Sequence, residues 1–312
     1  MDHKNGSVVT EFILSGFSGQ WEIQILFFVT FSLIYGATVL GNSLIMVTVK
    51  FSLTLHSPMY FLLGNLSFLD MCLSTATTPK MITDLLTEHK TISVCGCMAQ
   101  MFFMHFFGGS EMTLLIVMAF DRYIAICKPL HYRTIMSHRL LIGFVILSWT
   151  VGFIHTMSQM VLTVNLPFCG YNVIDSIFCD LPLVIRLACV ETYTLELFVI
   201  ADSGLLSFVS FIILLMSYTV ILVTVQHRSS RGLSKALSTL SAHIIVVTLF
   251  FGPCIFIYVW PFSSFASNKT LAIFYTVITP LLNPIIYTLR NQKMQAVMRK
   301  LLFQHTGATW NI

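Results

Sequence analysis

Seven runs of predominantly apolar residues, each long enough to cross a bilayer, divide this chain: 23–49, 58–82, 98–126, 140–162, 195–225, 242–259 and 271–289. A spanning helix needs about 20 such residues, and the fifth run is long enough to project beyond the lipid. We call these spans one to seven. Charged residues make up 10% of the 312 positions and hydrophobic ones 56%, whereas soluble domains carry about 25% charged residues. An all-α membrane protein is the fold class this predicts: a seven-helix domain at 23–289, a polar N-terminus at 1–22, and a tail at 290–312. The net charge of +4 is too small and too spread out to call for nucleic acid, and no CxxC-type metal pattern is present.

Charge asymmetry orients the bundle. With the N-terminus outside, twelve Lys and Arg from Lys50 to Lys300 fall on the cytoplasmic side, against Lys4, Lys80, Lys90, Arg186 and Lys269 outside. Asp121 is then the only acid at the cytoplasmic ends. The N-terminus has no cationic, apolar, small-residue signal pattern, so span one is expected to act as its own insertion signal. Asn5–Gly6–Ser7 is a glycosylation sequon that this orientation makes usable. Asn268–Lys269–Thr270 lies close to the membrane, and Asn65–Leu66–Ser67 lies inside a span.

The block MAFDRYIAICKPLHY, 118–132, ends span three with an acid–base pair, Asp121–Arg122, followed by basic residues. A charge at the bilayer centre costs roughly 2.5–3.5 kcal/mol on insertion scales, so this pair belongs at the membrane–water boundary. Asp121 and Arg122 are expected to pair locally in a closed bundle.

With LHSPMYFLLGNLSFLD (55–70), KALSTLSAHIIVV (235–247), PLLNPIIYTLRN (280–291), Gly41–Asn42 and Ser217–Tyr218, this block carries a resemblance that covers essentially the whole chain. The chain resembles an olfactory receptor of the rhodopsin-like G-protein-coupled receptor family. LPFCGYN and FCDLPLVIRLAC in the second outer loop are similar to the tetrapod-type (class II) group, family 4 among them. Phe120 stands where the family usually has Tyr, and Leu240 replaces a frequent Cys. Span six has Phe251–Gly252–Pro253 in place of the tryptophan motif of other rhodopsin-like receptors.

The resemblance implies a receptor in the plasma membrane of olfactory cilia, with a small odorant and a stimulatory heterotrimeric G protein as partners and cyclic AMP as its output. It implies no enzymatic chemistry. It also implies disulfides Cys97–Cys179 and Cys169–Cys189, holding the second outer loop as a lid. Spacing alone leaves Cys95 as an alternative to Cys97. Arg122, with Asp121, Tyr123, Tyr218, Lys235, His243, Pro284 and Tyr287, is assigned to activation and G-protein coupling. Pro284 removes one backbone bond and invites a kink. Ordinary packing would also account for that kink, and the positive-inside rule or contact with anionic lipid would account for the basic loops.

Asp70 and Glu111 are intramembrane acids, too costly at that depth to be filler. With Asn42, Ser74 and Asn283 they read as a site for a sodium ion or a proton. The alternative is a satisfied hydrogen-bond network with one or both acids protonated, since two close carboxylates do not easily both ionise. No other cofactor is called for. An ion-conducting pathway or an intramembrane enzyme are the rival uses of these acids; no inverted repeat and no nucleophile or metal motif accompanies them.

The ligand cavity is expected among spans three, five, six and seven. Its residues are Met104, His105, Gly108, Gly109 and Met112, then Asp202 and Ser203, then Phe251, Cys254, Ile255 and Tyr258, with Ile273 and Thr276. Such pockets are mostly apolar with a few polar fixtures. The glycines make room for ligand or allow close helix packing. Asp202 favours a ligand donor, or is hydrated at the outer boundary, or pairs with His105. His105, Met101, Met104 and Cys254 offer soft-metal donors, although scattered Met and Cys commonly fill cores. The tail is amphipathic, with Met294, Val297, Met298, Leu301 and Leu302 opposite Lys293, Arg299 and Lys300, and reads as a surface-lying helix.

Overall fold

Leu26, Leu33 and Leu40 of span one are 62%, 70% and 72% exposed. Such a face is stable only against lipid. The computed structural model describes residues 9–17, 19–228, 230–259, 267–289 and 291–304; Asn5, the sequon asparagine, lies outside them. Four spans are single helices: Trp21–Phe51, Pro58–Asp84, Val94–Cys127 and His138–Thr163. Span five runs as Tyr193–Val199, a π-helical turn at Ile200–Gly204, and Leu205–Arg228. Span six is Ser230–Val259. Span seven is Ser267–Ile273, a π-helical turn at Phe274–Ile278, and Thr279–Leu289.

Helix ends follow local chemistry. Pro58 opens span two at a position where its missing N–H costs nothing. Ser93 Oγ accepts from Gly96 N at 3.0 Å to cap span three. Span six starts at Ser230 rather than at 242, because hydropathy detects only the part of a helix that crosses lipid. Its amphipathic first turns project beyond, with Leu240 buried and Leu237 exposed.

Proline in span seven explains one inter-helix tie. Pro284 has no N–H for the carbonyl of Pro280, four residues back. Asn42 Nδ2 donates to that carbonyl at 3.0 Å. Gly41 lets span one approach, since a Cβ there would lie 3.2 Å from Pro284 Cγ.

Three strands cap the end of the bundle where span three begins: β1 (Glu11–Leu14), β2 (Thr91–Ser93) and β3 (Val173–Ile174), in the order β2-β1-β3. β1 is antiparallel to β2 and parallel to β3. Phe12 and Leu14 point inward and are buried, and Phe12 meets Phe168 edge-on at 5.1 Å. The disulfides are Cys97–Cys179 and Cys169–Cys189. Cys95 keeps an exposed thiol. The lid is thus held by two bridges and a strand contributed by the N-terminal segment.

At the other end, Gln292–Gln304 forms the surface helix. Asn291 Oδ1 caps it by accepting from Met294 N, and it also accepts from Tyr60 Oη at 3.0 Å. Met294 and Met298 are buried while Lys293, Arg299 and Lys300 are exposed.

Candidate functional site

Beneath the strand cap the bundle encloses a cavity of about 30 Å³ lined by residues of spans two to seven. Met104, His105, Gly108, Gly109, Met112, Ser203, Cys254 and Tyr258 line it, as the helical spacing predicts. Leu73, His155, Ser207, Phe250 and Tyr275 join them without having been expected. His155 carried a signal in the sequence: an ionisable residue in the middle of an apolar run is rarely filler.

His105 is 6% exposed, and its Nε2 meets no hydrogen-bond partner. Its ring lies 5.8 Å from Tyr258 and 6.0 Å from His155. The two glycines have different roles. A Cβ on Gly108 would meet nothing within 4 Å, whereas one on Gly109 would lie 3.3 Å from the Cα of Gly152. Gly109 serves close packing against span four, and Gly108 leaves open space.

Asp202 does not line the cavity and does not pair with His105. Its Oδ2 lies 3.1 Å from His155 Nδ1 and accepts from Gln159 Nε2 at 2.9 Å and Ser158 Oγ at 3.1 Å. The π-helical turn that contains Asp202 is the reason. It inserts an extra residue into the turn, so the α-helical period misdirects the Asp202 side chain, which faces span four. The turn at Phe274–Ile278 acts similarly on span seven. Tyr275 faces the cavity while Thr276 Oγ1 donates to Ala272 O at 2.8 Å, and Ile273 lies outside the lining. Phe250 lines the cavity in place of Phe251, which is buried against Phe211, and Ile255 lies off the lining.

The lid closes on this cavity. Gln100 Oε1 accepts from Cys179 N at 2.9 Å, and Tyr258 Oη donates to Asp180 Oδ1 at 3.2 Å. Asp180 is a loop residue and is buried. Desolvation pushes its carboxyl up to about 6, partly offset by the Tyr258 and Leu181 hydrogen bonds.

Deeper in the bundle, Asn283 Nδ2 donates to both oxygens of Asp70, at 2.8 and 2.9 Å. Asp70 and Glu111 are fully buried with their carboxyl groups in hydrogen-bonding range of each other, and no other group donates to either Glu111 oxygen. Asn42 and Ser74 do not join this pair. Asn42 is engaged with span seven, and Ser74 Oγ lies 3.4 Å from Thr78 Oγ1. Among the described residues no group of three His, Cys, Asp or Glu could hold a metal ion.

At the end of the bundle where span three closes, Tyr132 Oη donates to Asp121 Oδ1 at 2.7 Å. Asp121 has that partner, and among the described residues no ion pair joins it to Arg122. The sequence reading missed Tyr132 because it lies beyond the span, on a short helix, Tyr132–Ile135, whose return toward Asp121 is tertiary. Tyr218 Oη and His243 Nδ1 share a hydrogen bond between spans five and six. The His243 and Tyr287 rings lie 6.2 Å apart. Tyr123 is half-buried, and the side chain of Lys235 lies outside the described residues.

Comparison with known proteins agrees with this architecture. The olfactory receptor family model matches residues 31–305. Human olfactory receptor 4L1 is 80% identical over 311 residues, covering 100% of both chains. Human olfactory receptor 4K3 is 64% identical over 96% of each chain, and human olfactory receptor 4K1 57% identical over 100% of each. Among the described residues, six long apolar helices and a shorter seventh, His243–Tyr258, fit the same architecture. The chain is therefore a multi-pass membrane protein that belongs to the olfactory receptor family, receptors rather than enzymes.

Proposed function

We propose that this receptor binds a small, largely apolar volatile molecule in the cavity around His105 and thereby activates a stimulatory heterotrimeric G protein, raising cyclic AMP. The observation that carries the reading is a buried, unpartnered His105 Nε2 in a cavity whose wall includes the apolar Leu73, Met104, Met112 and Phe250. Such a group needs a hydrogen bond, which a ligand can supply. A cavity of about 30 Å³ is far below the roughly 300–1,000 Å³ of pockets that hold small ligands. Ligand entry therefore requires wall movement, for which Met104 and Met112 are suited by their flexible side chains.

Binding shifts a two-state equilibrium only through differential affinity for its two states. The Tyr218–His243 bond ties span five to span six, and span six must leave for Arg122 to reach the G protein. Tyr287, on the helix that carries Pro284, packs beside His243 and is placed to exchange partners. Tyr123 and Lys235 complete the coupling surface in this reading. The Asp70–Glu111 pair holds a sodium ion or a shared proton, since two adjacent carboxylates do not both ionise uncompensated. The N-terminus is exterior, with Asn5 glycosylated, and the receptor resides in the plasma membrane of olfactory cilia.

The test is an odorant panel read by a cyclic AMP reporter, followed by Arg122→Ala and His105→Ala. Arg122→Ala abolishes the response with surface expression retained. His105→Ala weakens potency for agonists with a hydrogen-bonding group about ten-fold, the scale of one buried hydrogen bond. Full signalling in Arg122→Ala would refute the coupling mechanism.

A further inference from the structure

An open space larger than the ligand cavity lies at the other end of the bundle. A groove of about 1060 Å³ opens at the end of the bundle that carries Asp121, between spans one, two and four and the short Tyr132–Ile135 helix. Its floor is apolar, with Val49, Leu55, Phe61 and Met136. Its rim carries four cationic or imidazole side chains, Lys50, His56, Arg133 and His138, all exposed. No carboxylate lines it among the described residues. Outside the groove, Val47, Phe51 and Ile142 are exposed apolar residues on the same helices, so the floor is continuous with the lipid-facing surface.

A soluble partner has no use for a floor open to acyl chains, and a neutral lipid leaves the rim unanswered. An amphiphile with a multiply anionic head satisfies both. We propose that the groove is a binding site for an inner-leaflet phosphoinositide, its inositol phosphates on Lys50 and Arg133 with His56 and His138 as further donors, and an acyl chain on the floor. Basic side chains at a membrane surface attract anionic headgroups, and the planar guanidinium of Arg133 can bind phosphate through two N–H groups. Gly64 keeps the groove open. A side chain there meets only Val49 Cγ1, at 3.7 Å from its Cβ, so a larger residue is accommodated and fills the space. The placement in the inner leaflet rests on the orientation proposed above.

The test uses the full-length receptor in nanodiscs containing phosphatidylcholine and a photoactivatable phosphatidylinositol 4,5-bisphosphate, with cross-links mapped by mass spectrometry. Both leaflets of a nanodisc carry the same lipid, so the result is independent of orientation, which tags at the two termini of the receptor in cells test separately. Cross-links are expected in the 46–65 and 132–141 segments. Lys50→Gln with Arg133→Gln is expected to lower phosphoinositide retention roughly ten-fold, leaving photoactivatable phosphatidylcholine unchanged. Gly64→Leu is expected to lower retention with all four rim residues intact, which covers a failure of the double variant to fold. Equal retention of phosphatidylcholine, equal binding of free inositol trisphosphate, or cross-links elsewhere in the bundle would overturn the proposal.

Discussion

The hydroxyl of Tyr132, on the short helix after span three, donates to Asp121 Oδ1 at 2.7 Å, so the acid of the Asp121–Arg122 pair is bound to the loop. A hydrogen bond to an ionised group contributes about 1.5–3 kcal/mol. Losing it frees both the loop and Asp121. Tyr132→Phe is therefore expected to raise ligand-independent cyclic AMP several-fold at unchanged surface expression. A reporter assay with surface staining checks this, and unchanged basal signalling means that the contact does not restrain activation.

Asp180 gives the lid a pH dependence. Its folded-state value of about 6 lies above the usual 3.8, so the folded receptor holds the proton more tightly than the unfolded chain. Charge on this buried acid is unfavourable above pH 6. Stability is regained as pH falls from 6 toward 3.8, by up to about 3 kcal/mol. Thermal unfolding of purified receptor is expected to shift upward between pH 7 and pH 5. Asp180→Asn should be more stable at pH 7 and lose the contribution of this site to the pH dependence. A variant with the same pH profile as the parent would show that another group titrates.

Two glycines separate packing from ligand space. A Cβ on Gly152 would lie 2.2 Å from Ser110 Oγ and 2.6 Å from the Phe106 carbonyl, and backbone cannot yield cheaply. Gly152→Ala is expected to cost several kcal/mol through overpacking and to remove the receptor from the surface. Gly108→Ala adds a methyl to open space. It should reach the surface normally and change agonist potency. Flow cytometry and dose–response curves decide both, and normal expression of Gly152→Ala would contradict the close approach.

The Asp70–Glu111 pair distinguishes a sodium ion from a proton. If sodium is held, replacing sodium by choline lowers thermal stability, and Asp70→Asn removes that sensitivity. We expect the sodium-dependent outcome, because no donor other than a proton shared with Asp70 reaches the Glu111 oxygens and a cation satisfies both acids together. A parent receptor indifferent to sodium but stabilised by acid, with Glu111→Gln abolishing the acid effect, would assign a proton instead.

The outer cap has an ion pair that should matter little by itself. Lys269 Nζ lies 2.6 Å from Asp175 Oδ1, and Ser15 Oγ donates to the same oxygen at 2.6 Å. The Lys269 and Ser15 hydrogen bonds hold the Asp175 carboxyl below its usual value. Asp175 is 79% exposed, and exposed pairs contribute about 0–1 kcal/mol. Lys269→Ala is expected to leave thermal stability within that range. A larger loss would mean that the strand cap depends on this corner.

The sequence by itself determined the number of spans, the family, the disulfide-bearing lid through that family, the amphipathic tail and most of the inward face of span three. These are periodic or compositional properties, and α-helical geometry converts them into positions directly. Only the tertiary structure decided where Asp202 points, that Tyr275 and Phe250 face the cavity in place of Thr276 and Phe251, and that His155 joins it from span four. Two π-helical turns reset the helical register within an unbroken apolar run, and hydropathy carries no record of an added residue per turn. The Asp121–Tyr132 bond, the N-terminal strand across the lid and the basic groove likewise depend on which chain segments return to meet one another. Those meetings are set by packing across the bundle, and a single stretch of sequence does not encode its own distant neighbour.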